Sequence, residues 1–341
     1  MMKMRFLAVG LAAVLFGALA HAEPQSALQP AGIQASHILD LWHLTVAICT
    51  LVFVAVLAVL GYALWRAPRA DAAAAADIAA LSRPEAGLRR WVLLAVAVSV
   101  ILLFVLLVAD IYTDRTLARL PLSGALHIRL TGHQWWWEAR YDDAQASRMF
   151  TTANELHIPV GTPVILTLQS ADVIHSFWVP NLHGKKDLIP GRTATIKLRA
   201  DRSGVYRGQC AEFCGYQHAK MALLVVAEPP AQYQAWAERQ RQPAPEPVDI
   251  QQRRGRDFFL SSTCAMCHSV QGTMAQAVLG PDLTHFASRK YLAAGTLPNN
   301  RGNMTAWILD PHRFKAGVNM PPHALNHDEI QALMSYLETL Q

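Results

Sequence analysis

Two stretches decide what this chain can become. Leu44 to Trp65 and Trp91 to Ala109 each run without a charged residue. Each matches the roughly 20 apolar residues that an α-helix needs to cross a bilayer core. Trp42, Tyr62, Trp65 and Trp91 stand near their ends, where amphipathic rings favour the membrane interface. The loop between the runs carries Arg66, Arg69, Arg83, Arg89 and Arg90, while the segment from Glu23 to Trp42 has no Lys or Arg. Positive loops stay in the cytoplasm. The expected arrangement over 23–120 is a transmembrane hairpin of two helices in a bacterial inner membrane. Both of its ends, and everything after Asp110, lie on the periplasmic side.

The first residues form a separate signal. Lys3 and Arg5 precede an apolar run from Phe6 to Ala20, which closes on Ala20-His21-Ala22. A basic start, a short apolar core and a small-residue end predict a secretory signal peptide over 1–22. Hydrophobic residues make up 52% of the chain and charged ones 16%, a membrane-leaning balance. The net charge of +5 does not point to nucleic acid. Much of it belongs to the Arg-rich loop, and no basic helix or aromatic-basic motif accompanies it.

The exported part divides in two. From Gly124 to Ala227 the pattern alternates apolar and polar residues, as in Leu126 to Thr131, Val164 to Gln169 and Ala194 to Leu198. Turn signals at Pro159-Val160-Gly161, Pro190-Gly191 and Ser203-Gly204 separate the runs. Many short strands with frequent turns imply a β-sandwich or barrel over 121–228. Residues 229–249 read as a linker, with a helix-prone stretch from Ala231 to Arg241 and then Gln242-Pro243-Ala244-Pro245-Glu246-Pro247. Residues 250–341 read as an all-α domain. Its last helix carries Ile330, Leu333, Met334, Leu337 and Leu340 at helical spacing, behind an Asn326/Glu329 capping box.

The β part concentrates metal ligands. Cys210, Cys214, His218 and Met221 fall in one short segment between two strand-like runs. Soft sulfur with imidazole suits copper, and a weak Met beside Cys and His marks copper used for electron transfer. A second imidazole must come from elsewhere, and His175 in Asp172 to Pro180 is the best candidate. A disulfide is the alternative for two exported cysteines four apart, but it accounts for neither His nor Met. Cys49, within the first apolar run, reads as a small apolar residue.

The α part carries a second pattern. Cys264-Ala265-Met266-Cys267-His268 is a C-x-x-C-H motif, the signature of covalent c-type haem attachment. A redox dithiol of thioredoxin type would want a βαβ context, which the pattern lacks. The haem iron needs a distal ligand, and a Met raises its potential. The choices are Met304 and Met320.

These motifs resemble those of cytochrome c oxidase subunit II. The loop matches C-x-E-x-C-x3-H-x2-M, and His175-Ser176-Phe177 with Pro180 matches its H-S-F-x-x-P segment. The resemblance implies a cupredoxin-like domain with a two-copper CuA centre. In it Cys210 and Cys214 bridge the coppers, His175 and His218 bind one each, and Met221 and the Glu212 carbonyl complete the set. It also implies that the Glu212 carboxylate reaches a Mg²⁺ at the interface with subunit I. Trp135, Trp136 and Trp137 resemble the family's aromatic patch for electron entry, with core packing as the plain alternative. Lys185 to Arg192 resembles a segment facing subunit I. Small c-type cytochromes place the distal Met in an N-M-P or M-P-P segment before the last helix, which selects Met320 over Met304. Gly280-Pro281-Asp282-Leu283 resembles their G-P-x-L turn, whose carbonyl orients the proximal His.

The implied role is electron relay into a haem–copper oxidase that reduces O₂ to water and pumps protons. Its partners would be subunits I and III and a cytochrome c or upstream respiratory complex as donor. A nitric oxide reductase partner, a free-standing electron carrier and a copper-delivery protein are the competing readings.

Overall fold

A computed structural model describes residues 25–67 and 86–341. The expected signal peptide and most of the Arg-rich loop between the apolar runs lie outside the described residues. The chain forms two units, one of which spans residues 36–120. That unit holds two long helices, α1 (Ile33–Arg66) and α2 (Ala86–Ala118), both long and apolar enough to cross a membrane. The apolar side chains face outward all round, as a lipid-facing surface requires. Hydroxyls within them bond back to the helix: Thr45 Oγ1 donates to Leu41 O and Ser99 Oγ to Ala95 O, both at 2.9 Å. Both helices run past the charge-free stretches.

The other unit holds the β-domain, the helical C-terminal domain and the start of α1. The Ala31 amide donates to Asn181 O at 2.7 Å, and the Arg199 amide to Gln34 Oε1 at 3.2 Å. These bonds tie residues 25–35 to the β-domain. Ten strands follow in two five-stranded sheets. One sheet takes the order β3 (Phe150–Ala153), β2 (Trp136–Tyr141), β1 (Leu126–His133), β5 (Val164–Ser170), β8 (Ala194–Leu198). The other runs β4 (Glu155–Pro159), β10 (Ala222–Glu228), β9 (Gly204–Cys210), β6 (His175–Trp178), β7 (Lys186–Leu188). This is a cupredoxin-like sandwich. The alternation seen in the sequence is its cause: Val164, Leu166 and Leu168 of β5 point into the core, while Ile165 and Thr167 sit partly outside. Ile128, Leu130, Trp137, Phe177 and Leu188 meet them there, all fully buried. Truncating one such side chain to Ala costs about 2–5 kcal/mol.

Helix α3 (Pro230–Gln240) leans on this sandwich through Trp236, whose ring stacks on His157 at 4.1 Å. The proline-rich stretch that follows is not a free tether. The Ala244 amide donates to Gln271 O at 2.9 Å, so the stretch is bound to the last domain.

That domain is helical: α4 (Ile250–Ser261), α5 (Arg301–Leu309) and α6 (His327–Leu337), with a two-strand hairpin β11 (Tyr291–Leu292) and β12 (Leu297–Pro298). The capping box forms as expected: Asn326 Oδ1 accepts from the Glu329 amide and Glu329 Oε2 from the Asn326 amide, both at 2.9 Å. Ile330, Leu333, Met334 and Leu337 of α6 are buried. Helices α4 and α6 meet at Gly255, where a Cβ would fall 2.0 Å from Ala332 O. Only glycine permits that crossing.

Candidate metal and haem centres

The copper-ligand candidates converge because of strand register. Strand β6 pairs with β9 so that Phe177 faces Cys210, which brings His175 to the end of β9. Residues 211–221 then loop from β9 to β10, and the Cys210 amide closes the loop on Met221 O at 2.9 Å. The result is one donor set. Cys210 Sγ lies 3.9 Å from His175 Nδ1, and Cys214 Sγ lies 3.6 Å from His218 Nδ1 and 3.9 Å from Met221 Sδ. Glu212 O lies 3.1 Å from Cys210 Sγ. Both cysteines are free and buried, so no disulfide competes. His175, Cys210 and Cys214 place their ligand atoms within 4.8 Å of one another. Two thiols, two imidazoles, a thioether and a carbonyl fit copper by softness and by number.

The surroundings prepare these ligands. Asp172 holds His175 Nε2 at 2.7 Å, which leaves Nδ1 facing the thiols. Burial opposes charge on His175, but the bonds to Asp172 and Cys210 outweigh it and raise its pKa. Gly132 backs the same ring: a Cβ there would sit 2.8 Å from His175 Cδ2. The bond between the two thiols favours the charged form of Cys210, lowering its pKa, and the neutral form of Cys214, raising its pKa. Metal binding would release the protons that the thiols still carry.

The three tryptophans take different places. Trp135 is buried, and its Nε1 donates to Cys214 O at 2.9 Å, alongside Gln134 Nε2 at 2.8 Å. Trp136 is half-buried and stacks on His133 at 4.3 Å. Trp137 is a core residue, its ring 6.1 Å from that of His175. The Glu212 side chain points outward and pairs with Lys185 at 3.5 Å.

The haem candidates sit on a short turn after α4. Cys264 and Cys267 are half-exposed and free. His268 is oriented by its backbone neighbour: Nδ1 donates to Pro281 O at 2.7 Å, which leaves Nε2 as the nitrogen for a ligand role. Burial lowers the His268 pKa, so the ring stays neutral as an iron ligand must. Gly280 backs this ring too, with a virtual Cβ 2.7 Å from His268 Cε1. Met320 is partly buried against the domain's apolar cluster, whereas Met304 is 3% exposed within that cluster.

Arg289 escaped sequence reasoning. It is buried, its Nη2 donates to Asp282 O at 2.5 Å, and its Nε has no partner. A buried guanidinium whose Nε is unpartnered, close to the haem-attachment motif, fits the carboxylates that haem carries. Composition alone could not find it, because a lone Arg in a loop reads as solvated.

Two family models match the chain. Cytochrome C oxidase subunit II, periplasmic domain, matches residues 126–228, and Cytochrome c matches residues 252–341. Among curated proteins, cytochrome c oxidase subunit 2 of Alkalihalophilus pseudofirmus is 34% identical over 345 residues, covering 99% of this chain and 97% of that one. The same-named protein of Bacillus sp. (strain PS3) is 31% identical and covers 72% of each. Among solved structures, the periplasmic domain of subunit II of cytochrome oxidase of Bradyrhizobium japonicum matches at 30% identity. That match covers 34% of this chain and 93% of that one, with a TM-score of 0.32.

Proposed function

The chain belongs to the cytochrome c oxidase subunit II family, in the form that carries a cytochrome c domain at its C-terminal end, and on that premise we propose that it is the electron-entry subunit of a proton-pumping oxidase. The family implies copper and haem c. Our reading goes further, to a two-copper CuA centre held by His175, Cys210, Glu212 O, Cys214, His218 and Met221. Cys264 and Cys267 would attach the haem, with His268 and Met320 as its axial ligands and Arg289 facing its carboxylates. The bound metals supply reversible one-electron carriers; the chain relays electrons from a cytochrome c or an upstream complex to subunit I.

The convergence of both thiols, both imidazoles and the thioether within hydrogen-bonding range carries this reading. The protein's own task is to hold that set still. Asp172 and Gly132 fix the His175 ring, and Pro281 O and Gly280 fix the His268 ring. A ligand set that barely moves needs little reorganisation when an electron arrives, so transfer is fast at small driving force. Burial of Cys210 and Cys214 excludes water and oxidants from the thiolates. Trp135, bonded to Cys214 O, is the entry residue on this reading. Trp136 and Trp137 support it from the flank and the core. The outward Glu212 carboxylate would reach Mg²⁺ at the subunit I interface, exchanging its Lys185 partner for the ion. Both exported domains would face the periplasm of a bacterial inner membrane, with subunit III completing the complex.

Cys210→Ser tests the assignment in the purified complex. The two-copper signal should vanish while the haem c spectrum stays. A two-copper signal that persists refutes the ligand set. A wild-type chain that copurifies with no oxygen-consuming partner refutes the oxidase reading.

A further inference from the structure

The bonds between the haem domain and the copper loop exceed what any ligand role requires. Lys315 is 2% exposed, yet among the described residues no carboxylate pairs with it. Its Nζ donates to Trp135 O at 2.8 Å and to Ala293 O at 3.1 Å. Burying an ammonium on carbonyls alone is costly, and burial pulls its pKa down to about 7. A chain that buries a lysine at such cost gains position from it. The neighbours of Lys315 are held as well. Phe314 O accepts from Lys220 Nζ, and Ala316 O accepts from Gln217 Nε2 at 2.8 Å.

A second strip of the haem domain meets the same loop. Ala293, Ala294 and Gly295 all take positive φ, at 51°, 55° and 78°. Two successive alanines in the left-handed region are strained, and such strain persists only where surrounding contacts enforce it. Here it aims two carbonyls: Ala293 O towards Lys315, and Ala294 O towards the Ala222 amide at 3.0 Å. Ala222 follows Met221 directly, and its Cβ lies 2.9 Å from where a Gly295 Cβ would be. Farther out, the Lys290 amide donates to Glu155 Oε1 at 2.6 Å. Trp135, beneath this cover, is 7% exposed.

We propose that Lys315 and the Ala293–Gly295 turn form a clamp that seats the haem domain on the copper loop and fixes the Trp135 carbonyl beneath it. The clamp itself stands on contacts; its effect on haem-to-copper transfer rests on the proposed centres. Lys315 is a positioning residue here. It holds the Trp135 carbonyl while the Trp135 indole holds Cys214 O.

The test uses the intact membrane complex. The Ala222 amide reports docking directly, because its acceptor, Ala294 O, belongs to the haem domain. Lys315→Ala should raise deuterium exchange at Ala222 by roughly tenfold or more, the scale on which a lost buried bond shifts a local opening equilibrium. The copper and haem c spectra should stay unchanged. Haem-to-copper transfer should slow and become dependent on solvent viscosity, since docking would then gate it. Glu155→Ala, which weakens the far edge of the seat, should give a smaller rise at the same amide, and it serves if Lys315→Ala does not fold. Wild-type protection of Ala222 in a folded variant of either kind overturns the clamp. Exchange is read without any electron transfer, so a failed copper assignment leaves this test intact.

Discussion

The two centres use the same devices and part company over their cysteines. Each places a glycine flat against its histidine, Gly132 behind His175 and Gly280 behind His268, where a Cβ would fall 2.8 Å and 2.7 Å from the ring. Each ring is aimed by a bond that its other nitrogen donates, to the Asp172 carboxylate at 2.7 Å in one case and to Pro281 O at 2.7 Å in the other. The cysteines differ. Cys210 and Cys214 are 2% exposed, while Cys264 and Cys267 are half-exposed. Copper needs only deprotonated thiols in place, so its thiols can be sealed before it arrives. Haem attachment forms two covalent bonds to a large ring, so those thiols must stay open to it. A ligand set can thus be rigid in its imidazoles and still be closed or open in its sulfurs, according to the chemistry that fills it.

If the centres are built separately, they should fail separately. Gly255→Val gives the largest effect. No side chain fits against Ala332 O, so the α4–α6 crossing breaks and the haem domain loses more than about 4 kcal/mol. Covalent haem should disappear while copper binding in the β-domain remains. Loss of both would show that the sandwich depends on its neighbour.

Acid should break the copper domain next. Burial alone lowers His183 to about 4 from 6.5, so it folds neutral. A folded pKa below the unfolded one gives stability that is present above about pH 6.5 and is lost as pH falls towards 4. The full swing is about 3 kcal/mol. His183→Gln should flatten the acid branch of thermal stability measured against pH; an unchanged slope contradicts the assignment.

Asp172→Asn sharpens the comparison between a carboxylate and a carbonyl partner. Losing the charged partner of a ligating His typically lowers metal affinity about 10–100-fold. A copper titration should show that drop with haem content untouched. The smallest effect is negative: a haem domain that is already seated needs little steering, so the ionic-strength slope of haem-to-copper transfer should be shallow. A steep slope in rapid-mixing kinetics would point to an undocked domain.

Local motifs were legible in the sequence, and convergent ones were not. Cys264, Cys267 and His268 adjoin, so spacing alone identified them; so did the loop from Cys210 to Met221. His175 lies far from that loop; the donor set only made it the best candidate and the resemblance gave its role, because its place depends on the β6–β9 register. The strand alternation, the capping box and the apolar spans followed from periodicity. The glycine backstops, Asp172 and Arg289 did not, since each acts through a neighbour distant in sequence. Lys315 would read as a solvated lysine in any pattern. The proline-rich stretch read as a spacer, and it behaves as one only in part, because the Ala244 amide binds it to the haem domain.

The central claim is that one chain holds a two-copper thiolate centre and a covalent haem. Copper and haem-iron content per chain, measured with the intact mass of the purified protein, tests it most directly. The account predicts two coppers and one haem per chain, with Cys210 and Cys214 unbridged once copper is removed under reducing conditions. One copper per chain, or a Cys210–Cys214 disulfide in the metal-loaded protein, would contradict it.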